Sequence, residues 1–186
     1  MSVCDTARLA YESSRNEILE RIRLRDNALL AFLGATGVVF GVATGTSPRP
    51  QLLLILPYLS LAAAFIVTQH DRTIGRICAF LTEELDPFLR EHAEAAPTWE
   101  ACSFLQSYSS AAMILRSTSH SILIILPAAV ALVWSWPVAK AAVVLEIIWW
   151  CAVVITTISS GFLFSTHRER RRYYHSTSWR TLSART

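Results

Sequence analysis

Charged side chains are scarce in this chain, which makes it unlike a soluble protein. Asp, Glu, Lys and Arg account for 17% of its 186 residues, whereas apolar residues account for 53%. Soluble domains average about 25% charged residues because their surfaces are solvated. The composition therefore excludes an ordinary soluble domain and indicates a protein of the lipid bilayer.

Cysteines and short catalytic motifs are lacking as well. The four cysteines lie far apart, at Cys4, Cys78, Cys102 and Cys151. Their spacing fits neither a zinc site nor a disulfide framework, so we expect reduced thiols, no metal and no cofactor. The chain also has no glycine-rich phosphate loop after a strand, no nucleophile elbow and no kinase-like set of motifs. We expect no catalytic residues and no enzymatic activity.

What the chain does have is four long apolar stretches, at 28–46, 52–68, 121–136 and 139–164. A helix needs about 20 residues to cross the hydrocarbon core of a bilayer. Three of the stretches approach or exceed that length, and the third is short enough to borrow a turn from the helix before it. The pattern predicts an all-α integral membrane protein with four transmembrane helices.

The basic residues indicate on which side of the membrane each connection lies. Fifteen of the 17 Lys and Arg residues fall in segments 1–27, 71–118 and 167–186, and the two others are Arg49 and Lys140. Short connections rich in Lys and Arg stay cytoplasmic, because cations are costly to translocate. The asymmetry predicts that both termini and the central segment are cytoplasmic.

These boundaries divide the chain into five parts. In order they are a cytoplasmic N-terminal helix (1–27), a first transmembrane hairpin (28–70), a cytoplasmic helical pair (71–118), a second transmembrane hairpin (119–166) and a basic cytoplasmic tail (167–186). About half of the chain is cytoplasmic in this prediction. That share is large enough to meet a protein or ligand that acts as a trigger.

Four glycines occur close together in the first apolar stretch, at Gly34, Gly37, Gly41 and Gly45. The last three are four residues apart and therefore share one helix face. Glycine lets a neighbouring helix approach closely, and close packing drives helix association in lipid. The face predicts either a homo-oligomer whose subunits pack there, or packing of the first span against the second or fourth span of the same chain.

One carboxylate, Glu146, lies inside an apolar stretch. A carboxylate at that depth is costly unless it faces a cavity, water or a partner. At helical spacing it shares a face with Trp150, Thr157 and Ser160. This face predicts an ion or proton path, or a carboxylate ring in an oligomer. The alternative is a protonated Glu146 that hydrogen-bonds to a neighbouring helix as structural support.

Three histidines and an aspartate occur where apolar stretches meet the cytoplasmic segments, at His70, Asp71, His120 and His167. Imidazole and carboxylate groups at one depth are able to bind a transition metal or to respond to pH. Histidine is also an ordinary residue of membrane interfaces. Nothing in the sequence brings the three imidazoles to one point.

The C-terminal tail carries a dense group of cations, at Arg168, Arg170, Arg171 and Arg172. Such cations bind anionic lipid headgroups at about 1 kcal/mol each. We expect them to anchor the topology and the lipid surface, and we do not expect nucleic acid as a partner. Arg170 and His175 also have the Arg-x4-His spacing of HEPN ribonucleases, but that motif normally lies on a soluble helical dimer interface.

The overall plan resembles that of small bacterial membrane proteins that accompany nucleic-acid defence systems, including those encoded beside type VI-B CRISPR ribonucleases. The resemblance covers the whole chain as architecture, and it carries over no functional residue. It implies an antiviral effector, a homo-oligomer that permeabilises the bacterial inner membrane when a cytoplasmic partner triggers it.

The function expected first is therefore an oligomeric protein of the bacterial inner membrane that forms or gates a pore. A non-conducting membrane scaffold or accessory subunit uses the same helix faces and is the alternative. A metal-dependent membrane enzyme built on the histidines, or a HEPN-like ribonuclease, ranks last.

Overall fold

Helices make up nearly all of the structure. The computed structural model describes the backbone of residues 3–92 and 103–183, and the side chains of residues 5–89, 91–92 and 118–165. The helices are α1 (Val3–Thr44), α2 (Leu56–Phe80), α3 (Asp86–His92), α4 (Ser103–Ala139) and α5 (Val143–Ser183). A 3-10 helix (Pro50–Ile55) leads into α2, and a π-helical turn (Leu81–Leu85) joins α2 to α3. No strand occurs among these residues, so the all-α prediction is confirmed.

Four helical segments are long and apolar enough to cross a membrane. These candidate spans lie within Asp5–Thr44, Pro50–Leu89, Thr118–Ala139 and Val143–Ser165. In the second candidate span, 50% of the most apolar stretch is buried, compared with 22% in the first span and 17% in the fourth. The second candidate span is therefore the central one, whereas the first and fourth leave most of their surface uncovered.

The chain folds into two compact units. Unit 1 comprises Met1–Asp26 and Gln69–Thr118, and unit 2 comprises Asn27–Thr68 and Ser119–Thr186. Helices α1 and α2 each contribute to both units. Unit 2 contains the apolar stretches and unit 1 contains the polar N-terminal and central segments. The cytoplasmic location of unit 1 stays a prediction.

Unit 1 is held together by an apolar core between α1 and the segment from α2 to α3. Its buried members are Ala7, Ile18, Leu81 and Leu85. The α2–α3 segment continues past Pro87, although proline has no N–H and its ring crowds the carbonyl four residues earlier, here Glu83. The π-helical turn lies directly before Pro87 and is the wider turn that accommodates such an interruption.

The interior of unit 2 is lined by small residues. The residues there that are at most 1% exposed include Ser60, Ala64, Ala128, Ala131, Ser135, Ala139, Ala152 and Ser159. Small side chains let helix backbones approach closely, which is how helices pack in lipid. Larger residues from all four candidate spans fill one cluster: Leu29, Phe32, Val67, Ile124 and Leu163. The four candidate spans thus pack tightly around a common centre.

The connection between the third and fourth candidate spans lies later in the chain than predicted. We expected the third span to end at Trp136 and the fourth to begin at Ala139, but α4 continues through Pro137 to Ala139 and α5 begins at Val143. Backbone bonds from Lys140 N–H to the Trp136 carbonyl (3.3 Å) close the end of α4. Because of this shift, Glu146 lies in the first turn of α5 rather than two turns into it.

Candidate functional site

The glycines of α1 are not used to pack against the other spans of the same chain. A Cβ added at Gly34, Gly37 or Gly41 would meet no described atom within 4 Å. All three residues are exposed. Gly45 differs, because a Cβ there would lie 2.9 Å from the Gly41 carbonyl oxygen at the end of α1. The two predicted uses of this face are self-association and packing within the chain. In the described part of the structure, no contact supports packing within the chain.

The opposite side of α1 is the one that packs in unit 2. Leu29, Phe32, Thr36 and Ala43 are between 2% and 7% exposed. They recur every three, four or seven residues, as one face of a helix does. The glycine face, defined as Gly34, Gly37 and Gly41, is therefore turned away from the packed centre of unit 2.

Glu146 also lies on a face that unit 2 leaves open. Glu146 and Ser160 are half-buried and Thr157 is exposed, while Trp150 is 54% exposed. We call these four residues the Glu146 face. In the part of the chain that the structure describes, the Glu146 carboxylate makes no hydrogen bond and no ion pair. The alternative use of Glu146 is a structural hydrogen bond to a neighbouring helix. Among the described residues, the carboxylate finds no partner for such a bond.

The hydroxyls of the Glu146 face are already satisfied within α5. Thr157 donates to the Val153 carbonyl at 3.0 Å, and Ser160 donates to the Thr156 carbonyl at 2.9 Å. Such bonds to the preceding turn meet the needs of a hydroxyl in an apolar environment. Glu146 differs from these two hydroxyls, because its carboxylate has no bonded partner within its own helix.

Tryptophans secure the turn beside Glu146. Trp149 donates from its indole N–H to the Leu132 carbonyl at 2.9 Å, and its ring lies 4.6 Å from that of Trp136. The Lys140 ammonium lies 4.5 Å from the centre of the Trp136 ring, within reach of a cation–π interaction. Trp149 also contacts Trp150 edge to face at 5.1 Å. These contacts join α4 to α5 and hold the first turns of α5 in place.

The predicted histidine cluster is not seen as a metal site. Among the described residues, no group of three or more His, Cys, Asp and Glu side chains is arranged to hold a metal ion. Asp71 bonds to Arg25. His120 belongs to unit 2 and His70 to unit 1, and the His167 side chain lies outside the described residues. The metal interpretation thus gains no support.

A buried ion pair that the sequence reading missed lies in unit 1. The Arg25 Nη1 donates to Asp71 Oδ1 at 2.9 Å, and Arg25 Nη2 donates to Asp26 Oδ1 at 2.8 Å. The Arg25 side chain is 3% exposed and that of Asp71 is 11% exposed, whereas that of Asp26 is 49% exposed. Asp71 is thus the buried partner of Arg25, and the bond joins α1 to α2.

A sequence signal for this pair existed. Ile18, Arg25 and Phe32 are seven residues apart, and all three are buried on α1. A charged residue at a position that a helical repeat assigns to the packed face requires a buried partner. The bias of Lys and Arg accounts for Arg25 in the sequence but does not predict a buried partner for it.

The environment of Arg25 keeps it charged. Burial disfavours the guanidinium ion, but the hydrogen bonds and charges of Asp26 and Asp71 outweigh it and raise the pKa of Arg25 above its usual value. The interaction is therefore a true ion pair wherever Asp71 is ionised. A cation placed between packed helices in this way is costly unless its partner is present.

The predicted sites of the tail lie beyond the described side chains. The backbone of α5 is helical to Ser183, but the side chains of Arg168, Arg170, Arg171, Arg172 and His175 lie outside the described residues. Comparisons of the chain with protein-family models, with curated proteins and with solved structures find no match. Lipid binding by the arginines and the resemblance to defence-associated membrane proteins stay predictions.

Replacing Asp71 by Asn should destabilise the protein, because the Arg25 charge would stay buried beside only the half-exposed Asp26. Loss of one partner of a buried ion pair costs about 3–5 kcal/mol. Thermal unfolding of the purified protein in detergent, followed by circular dichroism, measures the effect.

Glu17→Gln is the matched control, because it removes the exposed pair that Glu17 forms with Arg21 at 2.7 Å on the same helix. Exposed pairs four residues apart on a helix contribute about 0.3–0.5 kcal/mol. Equal losses of stability in the two variants would contradict the structural role of the Arg25–Asp71 pair.

Proposed function

We propose that this is an integral membrane protein whose four candidate spans self-associate into a homo-oligomer that forms or gates an ion-conducting pore. The observation that carries the proposal is the placement of the glycine face and of Glu146. The glycine face is exposed, and Glu146 is half-buried, with no hydrogen bond to its carboxylate among the described residues. In lipid, glycine permits a close helix partner and a carboxylate requires a polar one. A second copy of the chain is able to supply both.

The proposed orientation places both termini and unit 1 in the cytoplasm of a bacterial cell. Its support is the bias of Lys and Arg, with 15 of 17 in the three segments assigned to the cytoplasm. The positive-inside bias sets the orientation of chains with short connections. Unit 1 is then available to a cytoplasmic signal, while Arg49 and Lys140 face the other side.

Cysteine labelling tests this orientation. In a variant without native cysteines, Arg49→Cys or Lys140→Cys should react with a membrane-impermeant maleimide added to intact spheroplasts. Arg76→Cys, in the exposed surface of unit 1, should react only after the membrane is permeabilised. All three original residues are exposed, so accessibility within the fold does not bias the comparison. Labelling of Arg76→Cys from outside would show that the orientation is inverted.

The proposed conducting path runs between subunits and not through the centre of one subunit. Unit 2 packs its interior with Ala and Ser side chains that are almost fully buried. The one carboxylate of α5 within the candidate span, Glu146, lies on the open face. Rings of carboxylates select cations in channels because they concentrate negative charge at a constriction. Glu146 of several subunits would form such a ring.

Gly41→Leu should dissociate the oligomer, because a branched side chain keeps the neighbouring helix at a distance. The fold of the subunit should be kept, since the Cβ position at Gly41 is open. Native mass spectrometry in detergent and chemical cross-linking in membranes measure the oligomeric state. We expect at least a tenfold weaker association, which is about 1.4 kcal/mol.

Gly75→Leu is the matched control for Gly41→Leu. Gly75 is also an exposed glycine inside a helix, α2, with no described atom within 4 Å of its Cβ position. It belongs to unit 1 and to neither proposed face, so the oligomer should persist. A monomeric wild-type protein, or equal dissociation by both variants, would contradict self-association through the glycine face.

Glu146→Gln should reduce cation flux while the oligomer stays intact, because the substitution removes the charge and keeps the shape. The measurement is the membrane potential of expressing cells and the cation permeability of proteoliposomes. Thr157→Val is the control on the same face, since the Thr157 hydroxyl is bonded within its own helix. An intact wild-type oligomer that leaves the potential unchanged, even with its genomic neighbours present, would favour the non-conducting scaffold.

A further inference from the structure

Three hydroxyls in unit 2 are exceptions to the rule that buried polar groups are bonded. Thr36, Ser60 and Thr68 are 7%, 1% and 4% exposed. Their hydroxyl oxygens are buried and have no hydrogen-bond partner among the described residues. Buried polar groups in native proteins are nearly always paired with protein or with ordered water. These three therefore point to a partner that the chain itself does not supply.

Other hydroxyls of unit 2 behave differently. On α1, Thr44 donates to the Phe40 carbonyl at 2.8 Å. On α5, Thr156 donates to the Ala152 carbonyl and Ser159 donates to the Ile155 carbonyl, each at 2.8 Å. A bond to the preceding turn is thus the ordinary solution in this protein. Thr36 and Ser60 depart from it, and both lie on packed faces of neighbouring helices.

The packing of α1 against α2 places Thr36 and Ser60 at the same level. Phe32 shares a cluster with Ala64, and Ala43 shares another with Leu53, as expected for two antiparallel helices. Thr36 is one turn beyond Phe32 on α1, and Ser60 is one turn before Ala64 on α2. The two hydroxyls therefore face the same seam between the first and second candidate spans.

The polar groups around Thr36 and Ser60 favour a small neutral ligand. A hydroxyl is both a donor and an acceptor, and each backbone carbonyl one turn earlier, of Phe32 and of Leu56, has a second lone pair. A buried water molecule typically makes about three hydrogen bonds to such groups. No Asp, Glu, Lys or Arg lies within eight positions of Thr36 or of Ser60 in the sequence, so these stretches of α1 and α2 carry no charge to balance that of a cation.

We propose that Thr36 and Ser60 form a binding site for ordered water in the seam between the first and second candidate spans. The water accepts and donates between the two hydroxyls and so satisfies both. This water molecule hydrates the seam between the two candidate spans at one position in each subunit. The site does not depend on self-association or conduction, because all of its groups belong to one chain.

The direct test is nuclear magnetic resonance of the full-length protein in detergent micelles. The probe is water itself, observed through nuclear Overhauser contacts between its protons and those of Thr36 and Ser60. We expect contacts at both residues and none at Thr156, whose hydroxyl is bonded within α5. Absence of contacts at Thr36 and Ser60 would overturn the proposal.

Thermal unfolding of Thr36→Val, Ser60→Ala and the double variant supplies an independent test. If water bridges the hydroxyls, each single change strands one partner and lowers Tm by about 2–4 °C, the shift that about 1 kcal/mol produces in a protein of this size. The double variant should then be no less stable than the worse single variant, because the water leaves with both partners. Increases in Tm that add together would show that the hydroxyls are simply unpaired, and would overturn the site.

A matched control separates the coupling between Thr36 and Ser60 from the general effect on Tm of removing hydroxyls. Thr156→Val and Ser159→Ala remove hydroxyls that bond within α5. Their effects on Tm should add, since the two hydroxyls share no ligand. Coupling in the control pair as large as that between Thr36 and Ser60 would also overturn the proposal.

Discussion

The ion pair between Arg25 and Asp71 is the constraint on which the alignment of α1 and α2 depends. A buried guanidinium cannot be left unpaired without a large loss of stability, so α1 cannot slide along α2 by a turn. A buried polar contact between packed helices is well suited to specifying register in this way. Leu53 in the 3-10 helix and Ser60 and Val67 on α2 are each at most 1% exposed and lie seven residues apart, as Ile18, Arg25 and Phe32 do along α1.

Packing within unit 2 decides which parts of α1 are left for other partners. Once Phe32, Thr36 and Ala43 are committed to the seam, the glycine face is turned outward. The same reasoning applies to α5, where Ala152, Ser159 and Leu163 are buried and Glu146 is on the open side. A membrane environment makes these open faces meaningful, because glycine permits close helix contact there and a carboxylate requires a polar partner.

Local patterns in the sequence were sufficient for the number, type and order of the helices. Apolar stretches separated by polar segments indicate four spans, and the structure has four helices of the required length and composition. Proline is where the predicted and observed boundaries differ. The sequence predicts Pro137 in a turn, but α4 continues through Pro137 to Ala139. The π-helical turn before Pro87 shows the other way in which this chain continues a helix through proline.

By itself, the sequence determined that the chain is helical, that it has four apolar segments, and that Gly37 and Gly41 share one face, because each of these follows from spacing within one helix. Only the tertiary structure decided which faces are covered. The burial of Arg25 depends on its bond to Asp71, 46 positions away in the chain, and the burial of Thr36 depends on the helices that pack beside α1. The open space at Gly41 shows which side of α1 those helices leave uncovered. Spacing specifies which side chains lie together on a helix, whereas contact between helices depends on how distant segments pack.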